Sequence, residues 1–251
     1  MRRVVITGAA GLIGTVLERG LGDRYEIVGI DRALRRRPNV RRVDLRRPRA
    51  LGSLFAGAEA VVDLAGLPSA RTPWLDVWRN NLPATMNTLE AARQASVPRV
   101  VFASSNHVTG MYEREPPYSS IVAGDYDGLD PSATPLIAPT WPIRPDSPYA
   151  LGKVLGEAAA RHYADAHGLS ALCLRIGTVN AESRPLEPRH FATLLTHADL
   201  VRLVEATLAA PEDLAYGVYY GVSRNTWRIW DIRNAQVELG YDPLDNAEAY
   251  R

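Results

Sequence analysis

The sequence feature that most constrains the fold is a glycine-rich loop, TGAAGLIG, at residues 7–14. Residues 3–6 before it predict a strand, and residues 11–21 predict a helix that begins inside it. Glycines in such a loop allow a tight turn, a close approach of a phosphate to the backbone, and close packing of the helix on the strand. Free N–H groups at a helix N-terminus attract an anion. The loop therefore predicts a strand–loop–helix unit that binds the pyrophosphate of a dinucleotide.

Short apolar segments alternate with helical segments over the first two-thirds of the chain. Several of the apolar segments are continuous runs of Val, Ile and Leu, which is typical of parallel strands covered on both faces. The predicted fold class is α/β: a Rossmann-type, doubly wound parallel sheet with helices on both faces and a small C-terminal substrate cap. Strands are predicted at residues 3–6, 25–30, 40–43, 60–64, 99–103 and 171–176, and helices at 11–21, 47–55, 75–96 and 149–167.

Two irregular segments, residues 112–148 and 178–190, interrupt this alternation. A compact domain usually keeps such a long segment only for function. Beyond them, residues 198–210 and 228–239 predict helices and residues 215–220 predict a strand. We expect a dinucleotide-binding domain at residues 1–177, including a long substrate loop at 112–148, and a small substrate-binding region at 178–251.

The composition excludes several classes of protein. The 251 residues carry a formal net charge of +1, from 29 basic and 28 acidic side chains, which gives no indication of a nucleic-acid partner. No apolar run approaches the ~20 residues that span a bilayer, and the N-terminal MRRVVITG does not resemble a signal peptide. The single cysteine, Cys173, is expected to be a small buried residue. These features predict a cytoplasmic protein.

Asp31 ends the second predicted strand, about 20 residues after the glycine loop. A carboxylate at this place accepts hydrogen bonds from the adenine ribose hydroxyls and repels a 2′-phosphate, which favours NAD over NADP. The arginine-rich residues 32–49 fit either a solvated surface or a phosphate contact. Asp44 is placed to reach the adenine amino group, and it also fits a surface or helix-capping role.

Tyr149 and Lys153 lie four residues apart, on one face of a predicted helix. Lys153 is the single lysine among the 29 basic residues. A free phenol titrates near 10, and a nearby ammonium favours the phenolate. We therefore expect Tyr149 to act as a general base that accepts the proton of a substrate hydroxyl, and Lys153 to lower its pKa and to hold the nicotinamide ribose.

Four motifs together resemble the extended short-chain dehydrogenase/reductase superfamily: TGAAGLIG (7–14), DLAG (63–66), VFASSNH (101–107) and YALGK (149–153). In that family a serine at the end of the fifth strand forms a hydrogen bond with the reacting oxygen. Ser105 matches this position, and Ser104 is its neighbour. The resemblance implies that NAD is bound by Gly8, Ala10, Gly11, Leu12, Ile13, Gly14, Asp31, Arg32, Asp44, Leu45, Leu64, Ala65, Gly66, Asn81, Ser104, Tyr149, Lys153 and Ile176.

A narrower resemblance runs nearly end to end and is carried by FASSNHVTGMY, RPDSPYALGK, LRIGTVN and GYDPLDNAEAYR. These segments resemble NAD-dependent uronate dehydrogenases and the sugar dehydrogenases close to them, including haloarchaeal-type glucose-6-phosphate dehydrogenases. The resemblance implies that Asn106 and His107 bind sugar hydroxyls beside Ser105 and Tyr149, and that Thr178 lines the pocket. It also implies that Arg189 pairs with an acidic group at C6, because a guanidinium binds a carboxylate or phosphate bidentately.

The sequence departs from that pattern at two places. Pro68 stands where the uronate enzymes have a substrate-contacting serine, so Ser69 becomes the candidate, and the segment between Ser105 and Tyr149 is longer. His107 also fits a structural histidine at a strand end, and Arg189 also fits a surface arginine. The sugar is therefore left open among a hexuronate, a sugar phosphate and a neutral aldose.

The favoured function is an NAD-dependent sugar dehydrogenase that oxidises the C1 hemiacetal of a hexuronate or related aldose to the lactone. Ser105, Tyr149 and Lys153 are the expected catalytic residues. A nucleotide-sugar epimerase or dehydratase is an alternative, although the 98 residues after Lys153 are few for gripping a nucleotide sugar. A non-catalytic NAD sensor is a third. The resemblance implies a homodimer or larger homo-oligomer, and the spacing of the histidines predicts no metal site.

Overall fold

A computed structural model describes residues 1–33, 39–47 and 51–251. Its centre is one parallel sheet of seven strands in the order β3-β2-β1-β4-β5-β6-β7. The predicted fold class is confirmed, and all seven predicted strands, including the one at 215–220, are found within two residues of their expected ends. The strands are β1 (Arg2–Thr7), β2 (Tyr25–Asp31), β3 (Val40–Arg42), β4 (Ala60–Asp63), β5 (Arg99–Ser105), β6 (Ser170–Ile176) and β7 (Tyr216–Gly221).

The neighbouring strands β5 and β6 are buried over their whole length. They pair in register from Arg99 opposite Ser170 to Ser105 opposite Ile176. Their β-branched and Leu side chains face helices on both sides, which is why the strands are continuous apolar runs rather than alternating ones. Cys173 is fully buried in β6, as expected, and burial raises the pKa of its thiol.

Helices cover both faces of the sheet. They are α1 (Leu12–Leu21), α2 (Leu51–Phe55), α3 (Trp74–Asp76), α4 (Leu82–Gln94), α5 (Tyr118–Ala123), α6 (Pro148–His167), α7 (His190–Thr193) and α8 (His197–Leu208). The predicted helix at 75–96 is present, with a π-helical turn (Val77–Asn81) between α3 and α4. Residues 48–50 of the predicted helix 47–55 lie outside the described residues. No helix in the described ranges is long and apolar enough to cross a membrane.

The C-terminal part of the chain adds a strand to the sheet and a helix to one of its faces. The seventh strand β7 pairs with β6, and α8 packs against α1, so this part extends the sheet layer beyond residue 177. The predicted helix at 228–239 is wrong over its first half. Ile137 of the long segment donates its N–H to the carbonyl of Ile229 at 2.8 Å and accepts from the N–H of Asp231 at 3.0 Å. These bonds hold the backbone extended, and helical structure begins at residue 233 and continues as a π-helical turn (Ala235–Leu239).

The long segment 112–148 is mostly irregular, as expected, but it contains the short helix α5. Tyr118 and Ile121 of α5 are buried in the main core. A 3-10 helix (Asn106–Arg114) leads into the segment directly from the end of β5. The segment is therefore anchored to the rest of the protein at several points.

Candidate active site

One cleft of about 500 Å³ lies at the carboxyl ends of the strands, where an open parallel sheet usually binds its ligand. Most of the predicted site residues line it, although Ala10, Ser69, Asn81 and Arg189 lie outside the lining. The predicted residues in the lining are Gly8, Gly11, Leu12, Ile13, Gly14, Asp31, Arg32, Asp44, Leu45, Leu64, Ala65, Gly66, Ser104, Ser105, Asn106, His107, Tyr149, Lys153, Ile176 and Thr178.

The glycine loop forms one end of the cleft, which we call the cofactor end. Gly8 has φ of +67°, and a Cβ there would lie 2.9 Å from the Leu64 carbonyl carbon. At Gly14 a Cβ would lie 2.6 Å from the Ala9 Cα, so only glycine lets α1 pack this closely on the loop. No side chain in the described ranges caps the start of α1. Its first N–H groups therefore point towards the cleft and can bind an anion.

Asp31 lies beside this loop and ties it to the end of β2. Its carboxylate accepts the N–H of Ala10 at 3.0 Å and that of Ala33 at 2.8 Å. Each carboxylate oxygen has a second lone pair, so both oxygens can also accept a ribose hydroxyl. The Ala10 amide therefore positions Asp31, although Ala10 itself does not reach the cleft.

Arg46 and Asn80 extend the cofactor end and were not predicted from the sequence. The Asn80 side-chain oxygen accepts from Arg32 at 3.1 Å and from Arg46 at 3.2 Å. Arg46 also holds Asp44, with contacts of 2.7 and 2.8 Å, and these hydrogen bonds lower the Asp44 pKa to about 2. Part of the arginine-rich stretch, residues 34–38 and 48–49, lies outside the described residues. Arg32 and Arg46, among the described arginines of this stretch, bind neighbouring side chains.

Asn81 lies behind the loop that follows β4. Its amide oxygen accepts the N–H of Leu67 at 2.8 Å, and its amide nitrogen donates to the Leu67 carbonyl at 3.3 Å. This clamp fixes the loop in which Leu64, Ala65 and Gly66 line the cleft, so Asn81 can act on a cofactor through the loop. Ser69 is exposed, and its hydroxyl accepts the Arg71 N–H in a local turn.

Tyr149 and Lys153 lie on the first two turns of α6, facing the middle of the cleft. The Ser147 hydroxyl caps this helix by accepting the Ala150 N–H. Lys153 is 7% exposed, and its ammonium donates to the Ala103 carbonyl at 2.6 Å. The same ammonium lies 5.7 Å from the centre of the Tyr149 ring. A buried positive charge therefore lies beside the phenol ring, on the same helix.

A buried ion pair fixes the neighbouring face of β5 to α6 and β6. The Glu157 carboxylate accepts from the Ser104 hydroxyl at 2.5 Å and binds Arg175 bidentately at 2.9 Å. Burial alone would lower the pKa of Arg175, but these hydrogen bonds raise it. Ser104 is thus occupied by a structural contact. Its adjacent residue, Ser105, points the other way along the alternating strand.

Ser105, Asn106 and His107 lie at the opposite end of the cleft, which we call the substrate end. The Ser105 hydroxyl accepts the His107 N–H at 3.2 Å and donates to the Asn106 side-chain oxygen at 3.3 Å. The His107 ring nitrogen Nδ1 lies 2.6 Å from the Asp146 carboxylate. Burial alone would raise the Asp146 pKa, but the bond to His107 and its charge hold it below the usual range.

Asp146 was not predicted from the sequence, and its position depends on Gly110, which lies well before it in the chain. A Cβ at Gly110 would lie 2.0 Å from the Asp146 carboxylate. The conformation of the 3-10 helix therefore leaves space for this carboxylate behind His107. The His107 and Tyr149 rings meet edge to face, with centroids 6.0 Å apart. Asp146 thus orients the histidine next to the phenol.

Arg189 lies behind Thr178, which lines the cleft. Its guanidinium donates to the Thr178 hydroxyl at 3.2 Å, and that hydroxyl lies 2.7 Å from the Thr193 hydroxyl. Its other two nitrogens bind the Glu113 carboxylate bidentately, at 2.6 and 2.8 Å. Glu113 was not predicted from the sequence. The sequence resemblance predicts that Arg189 pairs with an acidic group of a sugar. In this structure Arg189 instead pairs with a carboxylate of the chain itself, that of Glu113.

Comparison with known proteins places this geometry in a family. The model of the NAD dependent epimerase/dehydratase family matches residues 4–209. The chain is 35% identical to uronate dehydrogenase of Agrobacterium fabrum, covering all of this chain and 88% of that protein. It is 32% identical to L-arabinose 1-dehydrogenase (NAD(P)(+)) of Haloferax volcanii, covering 98% of each. The structure of a uronate dehydrogenase mutant from Agrobacterium tumefaciens complexed with NAD superimposes with a TM-score of 0.82, at 32% identity, over 100% of this chain and 88% of that chain.

Proposed function

The chain belongs to the NAD dependent epimerase/dehydratase family, and we propose that it is an NAD-dependent sugar dehydrogenase that oxidises the C1 hemiacetal hydroxyl to the lactone. The observation that carries the proposal is the buried Tyr149–Lys153 pair facing the cleft beside Ser105. Two relatives, a uronate dehydrogenase and an L-arabinose 1-dehydrogenase, support this reaction by their names. Their sugars differ in charge, because a uronate is acidic and L-arabinose is neutral. Residues 1–177 would hold the cofactor, and residues 178–251 with the segment 112–148 would hold the sugar.

The cofactor end fits NAD. The close backbone approach at Gly8 and Gly14 and the open N-terminus of α1 suit a pyrophosphate. The Asp31 carboxylate suits a ribose diol, and its charge opposes a 2′-phosphate. Leu12, Ile13, Leu45 and Leu64 offer apolar walls for the adenine and nicotinamide rings. When bound, NAD supplies the acceptor for the hydride that leaves C1.

The side chains of the substrate end provide the rest of the reaction. The Tyr149 phenolate accepts the proton of the C1 hydroxyl, and the Lys153 ammonium stabilises that phenolate. Ser105 donates a hydrogen bond to the same oxygen and orients it. Asn106 and His107, the latter fixed by Asp146, hold the neighbouring hydroxyls of the sugar. A polar site of this kind rejects a molecule that lacks those hydroxyls, because its buried groups would be left unpaired.

The first test is NADH formation by the purified protein with NAD and a panel of glucuronate, galacturonate, glucose, galactose, L-arabinose and glucose 6-phosphate. We expect turnover of at least one of these sugars, with the lactone as product. NAD binding without turnover of any sugar would contradict the proposal and favour an epimerase or a sensor.

Tyr149→Phe tests the role of the phenol. We expect NADH formation to fall by about 10²- to 10⁴-fold, because the proton acceptor is removed, while NAD affinity is retained. Tyr163→Phe is the matched control on the same helix, where the hydroxyl donates to Glu90 at 3.1 Å, away from the cleft. Equal activity of Tyr149→Phe and wild type would rule out Tyr149 as the base.

The proposal includes a cytoplasmic homo-oligomer. The helices α4 and α6 pack side by side, and the surface that they present with the π-helical turn before α4 exposes four apolar side chains: Trp78, Met86, Leu151 and Leu155. Covering this surface with a second copy would bury it from water. Light scattering of the purified protein tests the oligomeric state, and a monomer at micromolar concentration would contradict it.

A further inference from the structure

Among the described residues, the lining of the substrate end offers no permanent cation that is free to bind an anionic sugar. Of the described residues that line the cleft, the permanent cations are Arg32, Arg46 and Lys153. Arg32 and Arg46 lie at the cofactor end, on Asn80, and Lys153 is bound to the Ala103 carbonyl. An anionic group on the sugar would therefore have to find its cation just behind the lining, at Arg189.

The two guanidinium nitrogens of Arg189 that do not contact Thr178 already bind a carboxylate. Glu113 binds its guanidinium through two hydrogen bonds, and the two side chains are only 13% and 25% exposed. Burial alone would lower the pKa of Arg189, but Glu113, Asp146 and Glu187 together raise it. Charge-assisted bidentate pairs of this kind are strong and geometrically fixed. An incoming carboxylate would have to displace a partner that is part of the chain.

Asp146 adds a second negative charge at the same place. Its carboxylate holds His107 and is close enough to Arg189 for the two charges to interact. The substrate end thus has the carboxylates of Glu113 and Asp146 against the guanidinium of Arg189. A hexuronate or a sugar phosphate would bring a further negative charge to this position, and like charges brought together there repel.

We propose that Glu113 makes the substrate site selective for uncharged aldoses, by occupying the Arg189 guanidinium that would otherwise bind an acidic group of the sugar. This inference rests on the proposed sugar dehydrogenase function and specifies its substrate class. Glu113 lies at the end of the 3-10 helix that begins with Asn106 and His107. The residue that sets the charge preference is therefore held on the same element as the residues that bind the hydroxyls.

The test uses pairs of sugars that differ only at C6: glucose against glucuronate, and galactose against galacturonate. In wild type we expect a higher kcat/KM, and tighter binding to the NADH-saturated protein, for the neutral member of each pair. Glu113→Gln removes the charge while keeping the size of the side chain. We expect this variant to raise the uronate-to-aldose ratio of kcat/KM by about tenfold or more.

Glu115→Gln is the matched control. Glu115 lies two residues away and also binds an arginine bidentately, Arg144 at 2.6 and 2.9 Å, on the exposed side of the segment. This variant should leave the uronate-to-aldose ratio as in wild type. Thermal unfolding of both variants shows whether a change in this ratio is caused by misfolding. The preference of the wild type for the neutral sugar of each pair tests the inference without any variant.

The outcomes separate the inference from the proposed function. A wild-type preference for glucuronate over glucose, or an unchanged ratio in folded Glu113→Gln, would overturn the inference while leaving the dehydrogenase intact. Sugar binding to the NADH complex in the expected order, without NADH formation from NAD, would overturn the proposed function alone. Absence of binding of either sugar would overturn both.

Discussion

The two ends of the cleft are built in different ways. At the cofactor end the contacts around the glycine loop are made by backbone and by glycines close in sequence, with Gly8, Gly11 and Gly14 inside one loop. At the substrate end they are made by side-chain pairs from distant parts of the chain. His107 and Asp146 are 39 residues apart, and Glu113 and Arg189 are 76 residues apart.

This difference shows which part of the site can vary. A backbone cradle needs small residues at fixed spacing, since any Cβ at Gly8 or Gly14 meets neighbouring backbone. A side-chain pair can be changed by one substitution while the fold is kept. We therefore expect the proposed reaction to depend on the geometry of the sheet and its first loop, and the proposed choice of sugar to depend on pairs such as Glu113 with Arg189.

Among the substitutions that compare the two ends, Gly14→Ala should give the largest effect, because at the cofactor end it lowers both the stability and the NAD affinity. The added methyl would overlap the Ala9 backbone and push α1 away, at a cost of about 1–3 kcal/mol in the free energy of unfolding. We expect NAD affinity to fall by about tenfold or more, the equivalent of about 1.4 kcal/mol. Calorimetric titration of NAD and urea unfolding measure the two effects.

Gly52→Ala is the control for that change. It lies in α2, and a Cβ there meets no atom within 4 Å. Replacing a helical glycine by alanine should stabilise the protein by up to about 1 kcal/mol and leave NAD affinity unchanged. If Gly14→Ala bound NAD as tightly as Gly52→Ala, the backbone cradle would not be the site of the pyrophosphate.

Asp146→Asn should give a smaller effect, confined to the substrate end. Without the negative charge His107 is held less firmly, so we expect kcat/KM for the sugar to fall by about tenfold with NAD affinity unchanged. Asp130→Asn, an exposed carboxylate bonded to Ser132 in the same segment, should behave as wild type. A parallel loss of NAD affinity in Asp146→Asn would mean that the two ends are not independent.

The smallest effect is expected at the Asp44–Arg46 pair on the rim of the cofactor end. Hydrogen bonds from Arg46 lower the Asp44 pKa to about 2, below its unfolded value, so the pair stabilises the folded state above about pH 4 and loses this effect as the pH falls towards 2. Asp44→Asn should cost less than about 1 kcal/mol at neutral pH, and its difference from wild type in urea unfolding should vanish near pH 2. A constant difference across that range would show that the ion pair is not its cause.

The sequence predicted the strands of the sheet and the glycine loop from local patterns, namely apolar runs and glycine spacing, whereas the family resemblance supplied most of the predicted residues that line the cleft. The helix predicted at 228–239 was wrong over its first half because a tertiary contact decided it. The bonds of Ile137 to the backbone of Ile229 and Asp231 hold that segment extended, against its apolar periodicity. Asn80 and Arg46 were missed for a similar reason, since their meeting point is created by the fold.

By itself the sequence determined a parallel α/β sheet, a dinucleotide loop and a tyrosine–lysine pair, since each is specified by residues near one another in the chain. Only the tertiary structure decided that Glu113 occupies Arg189, that Asp146 holds His107, and that Glu157 with Arg175 ties Ser104 into the interior. The physical reason is the distance along the chain over which each interaction acts. Backbone geometry and helix periodicity act over a few residues, whereas the partner of a half-buried charge is whichever opposite charge the completed fold brings within hydrogen-bond distance.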